Sequence, residues 1–170
     1  ATPRKLGLQN EDKYVGRGIS YCATCDGAFY KDKIVAVVGG GNTAVSDCLY
    51  LAKFANQVHL IHRRDKLRAS KADTEKLINS GVNIIYKSVV SEIVGENKLS
   101  HIKLQNVENK EINEMQVDGV FVAIGQIPSN ICPQIARDEY GYILADEDMK
   151  TNIDGVFVAG DVRQKKVRQV

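Results

Sequence analysis

Two cysteines three positions apart, Cys22 and Cys25, followed at once by Asp26, are the residues of this chain whose types and spacing most directly promise chemistry. A Cys-x-x-Cys pair is a dithiol that closes to a disulfide and reopens, provided one thiolate is stabilised and a neighbouring group manages protons. Asp26 supplies that group, a proton donor and acceptor for departing and incoming thiols. A zinc site would need two more Cys or His ligands at workable spacing. The other two cysteines do not offer them: Cys48 falls on the apolar face of an expected helix and Cys132 in a distant loop. They read as a core residue and a loop residue. A structural disulfide stays open, although it would be unusual in a reducing compartment.

Fourteen residues after Cys25 begins a second signature, Gly39-Gly40-Gly41-Asn42-Thr43-Ala44. Gly39, Gly41 and Ala44 fit G-x-G-x-x-A, in which the first Gly allows a tight turn and the second lets backbone approach a pyrophosphate. The small third residue permits close helix–strand packing. Amides at the N-terminus of the following helix, from Asn42 and Thr43 on, then bind phosphates. A tight strand-to-helix loop with no ligand is the plain alternative. The next strand ends in His62-Arg63-Arg64-Asp65, with Arg68 just beyond. An acidic residue there would suit the ribose 2′-OH of NAD. Three arginines around one carboxylate instead suit a 2′-phosphate, which guanidinium groups bind bidentately, so NADPH is favoured over NADH.

The elements that must position these groups can be read from periodicity. Residues 34–38 (Ile-Val-Ala-Val-Val) form a buried parallel strand and 43–53 a helix with Val45, Cys48, Leu49 and Ala52 on one face. Residues 57–62 form a second strand, 70–80 a second helix capped by Gly81, and 82–86 a third strand. Alternation of apolar and polar residues over 88–94, 100–108 and 111–117 predicts an antiparallel three-stranded meander. Residues 118–124 return as a buried strand. Beyond it, short strands are expected at 141–144 and at 156–161, while 1–18 reads as a polar linker leading in.

At 170 residues, 44% hydrophobic and 26% charged, the chain can bury a real core in one large or two small domains. A net charge of +2 argues against a dedicated nucleic-acid surface, and no apolar run is long enough to span a bilayer, so no membrane partner is expected. Four cysteines are too few for a disulfide scaffold, and a cytoplasmic location is expected. The chain begins at Ala1 without a methionine and stops at Val170 soon after an Ala-Gly-Asp turn, which is expected of a piece of a longer polypeptide.

With Cys-Ala-Thr-Cys-Asp-Gly, Gly-Gly-Gly-Asn-Thr-Ala, His-Arg-Arg-Asp-x-x-Arg and a terminal Ala-Gly-Asp in this order, the chain resembles bacterial-type, low-molecular-weight thioredoxin reductase over nearly all its length. The resemblance implies an α/β, Rossmann-like fold of the two-dinucleotide-binding-domain flavoproteins, in which an NADPH domain interrupts an FAD domain. Residues 1–5 and 127–170 would be stubs of the FAD domain, and 6–126 the NADPH domain carrying the dithiol. It assigns Cys22 and Cys25 to the redox disulfide and Asp26 to acid–base work. Thr43, His62, Arg63, Arg64 and Arg68 would surround the NADPH adenosine phosphates, and Ile124 and Gly125 the nicotinamide half. Asp161, Arg168, Gln169 and Val170 would touch FAD in the longer enzyme. That enzyme passes electrons from NADPH through FAD to thioredoxin, works as a homodimer, and rotates its NADPH domain about connections expected near Arg4 to Leu6 and Gly125 to Pro128. The flavoprotein of an alkyl hydroperoxide reductase, a ferredoxin-fed relative, and an NADPH-binding module without turnover are the alternatives. Ala23-Thr24 between the cysteines argues against the first, and the arginine set against the second.

Overall fold

A computed structural model of the chain describes residues 1–129 and 132–165. In chain order the elements are Thr2–Pro3 (β1), Ile19–Ser20 (β2), Ala23–Asp26 (α1), Ile34–Gly39 (β3), Asn42–Leu51 (α2) and Gln57–Ile61 (β4). Lys71–Ile78 (α3), Asn83–Ile85 (β5), Ser88–Gly95 (β6), Leu99–Asn106 (β7), Ile112–Gln116 (β8), Gly119–Ala123 (β9) and Gln126–Ile127 (β10) follow. The chain divides into two compact units, one running from Lys5 to Ile124 and one holding Ala1–Arg4 and the residues from Gly125 on.

The larger unit is built on a parallel sheet in the order β2-β9-β3-β4-β5. A central strand of such a sheet is covered on both faces, which is why β3 reads as continuous apolar sequence. Because successive side chains point to opposite faces, Val35 and Val37 enter one core and Ala36 and Val38 the other. The first core lies under the helices, with Ala44, Val45, Cys48 and Leu51 of α2 and Leu77 of α3 at zero exposure. The second lies against an antiparallel sheet β6-β7-β8, the expected meander, which contributes Val90, Ile93, Leu99, Ile102 and Leu104. Helix α3 begins where Ser70 caps it by accepting the Asp73 amide at 3.1 Å.

One expectation is overturned in this unit. The polar stretch ahead of Gly18 is not a linker. A 3₁₀ turn, Glu11–Tyr14, buries both of its ends, and Leu6 and Leu8 lean on the second core. Glu11, 3% exposed, accepts hydrogen bonds from the amides of Leu6 (2.9 Å), Gly7 (2.8 Å) and Leu8 (3.4 Å) and from the Tyr21 hydroxyl (2.8 Å). A charged residue whose partners are backbone groups leaves no trace in hydrophobic periodicity. The same holds for β2: two residues are too few to show a period, and their place beside β9 is set by pairing of Ile19 with Val120 and Ser20 with Phe121.

In the smaller unit, Thr2 pairs antiparallel with Ile127 and Pro3 with Gln126, and a small core gathers Ile135, Ile143 and Val158. The strands expected at 141–144 and 156–161 are corrected to isolated bridges. Ile143 bridges Arg137 and Arg163, and Phe157 bridges Lys150. Side chains compete for the backbone here: Asp138 accepts the amides of Tyr140 and Tyr142, each at 2.9 Å, and Thr151 donates to the Val156 carbonyl at 2.9 Å.

Candidate functional site

Strand β2 delivers the dithiol. It ends at Ser20, and two residues later Cys22 caps α1, its sulfur accepting the Cys25 amide at 3.2 Å. Cys22 and Cys25 are joined as a disulfide, with Cys25 exposed and Cys22 half-buried. Ala23, 2% exposed, presses the short helix onto the core under α2. Gly27 makes that approach possible, since a Cβ there would come within 3.0–3.1 Å of Tyr50, Leu51 and Phe54. The disulfide therefore follows the edge strand of the sheet, with Cys25 as its exposed residue. Asp26 is half-buried, and its Oδ2 accepts a hydrogen bond from the Ser20 hydroxyl at 2.7 Å. Behind it, burial first and then the negative charges of Asp26 and Asp118 raise the Tyr30 phenol above its ordinary value.

The glycine turn follows β3, and its three glycines have different duties. A Cβ on Gly39 would stand 2.5 Å from the Ala123 carbonyl oxygen and 2.6 Å from the Ala44 Cβ, so this Gly and the small Ala44 close β9, β3 and α2 together. A Cβ on Gly40 would stand 2.2 Å from the His62 ring. Gly41 is different: its φ of −96° and ψ of −176° suit any residue, and a Cβ there would meet nothing within 4 Å. Gly41 is also the N-cap of α2 and brings no side-chain cap, which leaves the first amides of the helix, at Asn42, Thr43 and Ala44, available to a ligand.

A basic loop is stitched to this turn. The Arg68 amide donates to the Gly40 carbonyl at 2.7 Å, and the Ser70 amide to Asn42 Oδ1 at 3.0 Å. His62 is buried under Gly40 and bonds the Lys66 carbonyl at 3.0 Å through Nε2, which must carry the proton because a carbonyl only accepts. Arg63, Arg64 and Arg68 are exposed, and none of their guanidinium groups pairs with a carboxylate among the described residues. Three unpaired cations thus hang from the loop that touches the uncapped helix end. His62 stands apart from them, as the buttress beneath.

The remaining residues singled out by sequence fall in both units. Ile124 is half-buried at the end of the larger unit, and Gly125, exposed with φ +103°, starts the smaller one. Asp161 is exposed after Gly160, and Arg168, Gln169 and Val170 lie outside the described residues. Cys48 is fully buried, where desolvation drives its thiol pKa up, and Cys132 donates to Gln134 Oε1 at 3.2 Å. Ser20 and Glu11 escaped sequence reading, since a lone Ser before a dithiol and a lone Glu in a polar stretch carry no pattern. Among the described residues no helix is long and apolar enough to cross a membrane.

The whole chain, residues 1–170, matches the family model described as pyridine nucleotide-disulphide oxidoreductase. It is 42% identical over 172 residues to the thioredoxin reductase of Treponema pallidum, covering 100% of this chain and 56% of that protein. To the thioredoxin reductase of Streptomyces coelicolor it is 45% identical over 170 residues, covering 98% of this chain and 53% of the other. The crystal structure of Lactococcus lactis thioredoxin reductase in its FR conformation superposes with a TM-score of 0.89 at 41% identity, over 99% of this chain and 57% of that one. The chain thus spans about half the length of the relatives it matches.

Proposed function

Because the chain belongs to the pyridine nucleotide-disulphide oxidoreductase family, we propose that it is the NADPH-binding, dithiol-bearing part of a thioredoxin reductase. Residues 6–126 form the NADPH domain, and residues 1–5 and 127–170 contribute to a flavin domain. The observation that carries this reading is a disulfide with one exposed cysteine in the same unit as three arginines that pair with no carboxylate among the described residues, hung on an uncapped glycine turn. In a longer protein with the relatives' organisation, the substrate is oxidised thioredoxin, the subunits pair as a homodimer, and the compartment is the cytoplasm.

The residues fit NADPH. Open space over Gly41 admits a pyrophosphate against backbone, the amides from Asn42 to Ala44 neutralise it, and Arg63, Arg64 and Arg68 take the 2′-phosphate. Bound NADPH would supply a hydride, and a flavin would supply the two-electron chemistry that links hydride to disulfide. Among the described residues, Asp161 alone represents the FAD set, and it is exposed in a turn. At the dithiol, an arriving electron pair breaks the Cys22–Cys25 bond and two protons complete the thiols. Asp26 handles one of those protons. In the reverse sense it accepts the proton of the cysteine that attacks the thioredoxin disulfide.

Calorimetry on this chain tests the cofactor half. NADPH and 2′,5′-ADP should bind more tightly than NADH and AMP. Replacing each of Arg63, Arg64 and Arg68 with Ala should remove about 1.5–3 kcal/mol of that preference wherever the contact is charge-assisted. Equal affinity for NADPH and NADH in the wild-type chain would overturn the assignment.

A further inference from the structure

We infer that Ser20 is the positioning residue for proton transfer at the dithiol, holding the Asp26 carboxylate by one oxygen so that the other faces the sulfur chemistry. The inference rests on the redox reading of Cys22 and Cys25. Ser20 is 3% exposed and is fixed by the sheet rather than by the loop, since it pairs with Phe121 in β9. Its hydroxyl carries a single proton. That proton goes to Asp26 Oδ2 at 2.7 Å, with the Cys22 carbonyl at 3.3 Å the weaker acceptor. As acceptor, the same oxygen takes the Cys22 amide at 3.1 Å. One buried hydroxyl thus ties the backbone of the first cysteine to the side chain of the acid–base residue. Asp26 Oδ1 is left without a hydrogen bond among the described residues. Tyr21, between Ser20 and Cys22, donates its own hydroxyl to Glu11 at 2.8 Å, a second tether on the strand end.

The plain alternative is that Ser20 merely closes a turn. A turn-closing hydroxyl would need nothing beyond the Cys22 amide. A 2.7 Å donation to a half-buried carboxylate four residues beyond that turn is not required by it. The difference is measurable in thiol oxidation. With oxidised glutathione as oxidant, Asp26 takes the proton from one cysteine thiol, the thiolate attacks a glutathione sulfur, and the first glutathione thiolate leaves with the electron pair. That thiolate takes the proton from Asp26, which then accepts the proton of the second cysteine. The second thiolate attacks the protein sulfur of the mixed disulfide, the Cys22–Cys25 bond forms, and the second glutathione thiolate leaves with the electron pair and is protonated in turn. Two electrons pass from the dithiol to oxidised glutathione.

The experiment uses this chain, reduced and then mixed with oxidised glutathione, with alkylation at timed intervals and mass analysis of the peptide containing residues 22–25. Asp26→Asn should slow disulfide formation by about 10²-fold, the low end for a general base. Ser20→Ala should slow it by about tenfold, and adding Ser20→Ala to Asp26→Asn should change the rate by less than about twofold, because a residue acting through another has nothing left to position. Ser20→Thr, which keeps the hydroxyl, should stay near the wild-type rate, with thermal melting confirming that each variant folds. Equal slowing by Ser20→Ala with and without Asp26 would overturn the inference. So would no slowing at all, or a folded Ser20→Thr as slow as Ser20→Ala. If Asp26→Asn itself leaves the rate unchanged, it is the acid–base reading of the dithiol beneath the inference that fails.

Discussion

Placing an alanine in turn at Gly39, Gly40 and Gly41 separates a glycine needed for packing from one needed for a ligand. At Gly39 the new Cβ would lie 2.5 Å from a backbone oxygen of β9, which cannot swing aside, and 2.6 Å from Ala44. Overpacking against backbone of this kind costs about 1–3 kcal/mol. At Gly40 it would lie 2.2 Å from the His62 ring, and displacing that ring also breaks the bond to the Lys66 carbonyl. That adds about 1 kcal/mol to a similar strain term. At Gly41 nothing lies within 4 Å and φ is already suited to alanine. The lower entropy of the unfolded chain stabilises Gly41→Ala by about 0.4–1 kcal/mol, offset by the poorer N-cap that Ala makes, so stability should move by less than about 0.5 kcal/mol. Dinucleotide binding should respond in the opposite order. In the proposed binding mode a methyl group at Gly41 would stand where the pyrophosphate meets backbone, and loss of that approach should weaken NADPH by about tenfold or more, 1.4 kcal/mol. Urea unfolding gives the first quantity and calorimetry the second. If Gly41→Ala binds NADPH as tightly as wild type, the turn is a packing device alone and the phosphate cradle is refuted.

Two further outcomes follow from buried carboxylates. Asp47 on α2 has no hydrogen bond or ion pair to its carboxylate among the described residues, and burial raises its pKa from 3.8 to about 6. The folded state therefore binds the proton more tightly than the unfolded one. Stability falls as pH rises through the interval from 3.8 to about 6 and is level above it. Asp47→Asn should stabilise the chain at pH 7 by about 1–2 kcal/mol, after discounting the roughly 3 kcal/mol of full linkage for partial exposure, and should match wild type at about pH 3. An equal effect at both pH values in denaturant titrations would refute this. Glu11→Ala should cost about 2–4 kcal/mol, because three amides and the Tyr21 hydroxyl lose their acceptor together, and a loss under 1 kcal/mol by urea unfolding would contradict it.

The residue types on which the proposed chemistry rests, and most of the frame, are legible in the sequence alone. The spacing of Cys22, Cys25 and Asp26 and of Gly39, Gly41 and Ala44 is local, so it is legible without knowing what packs where. The buried run at Ile34–Gly39 and the alternation of the meander are legible for the same reason: a strand covered on both faces and a strand half-covered must differ in period. Tertiary structure decided what depended on partners distant in sequence. Ser20 faces Asp26 because β9 places β2 at the sheet edge, and no residue near Ser20 in sequence announces Phe121. Gly40 is small because His62 lies beneath it, twenty-two positions on. Glu11 became a buried anchor rather than part of a polar linker because four donors converge on its carboxylate, a matter of chain path and not of composition. Residue types and short spacings are read within one element, whereas the satisfaction of a buried polar group is settled between elements, and only a folded chain brings those together.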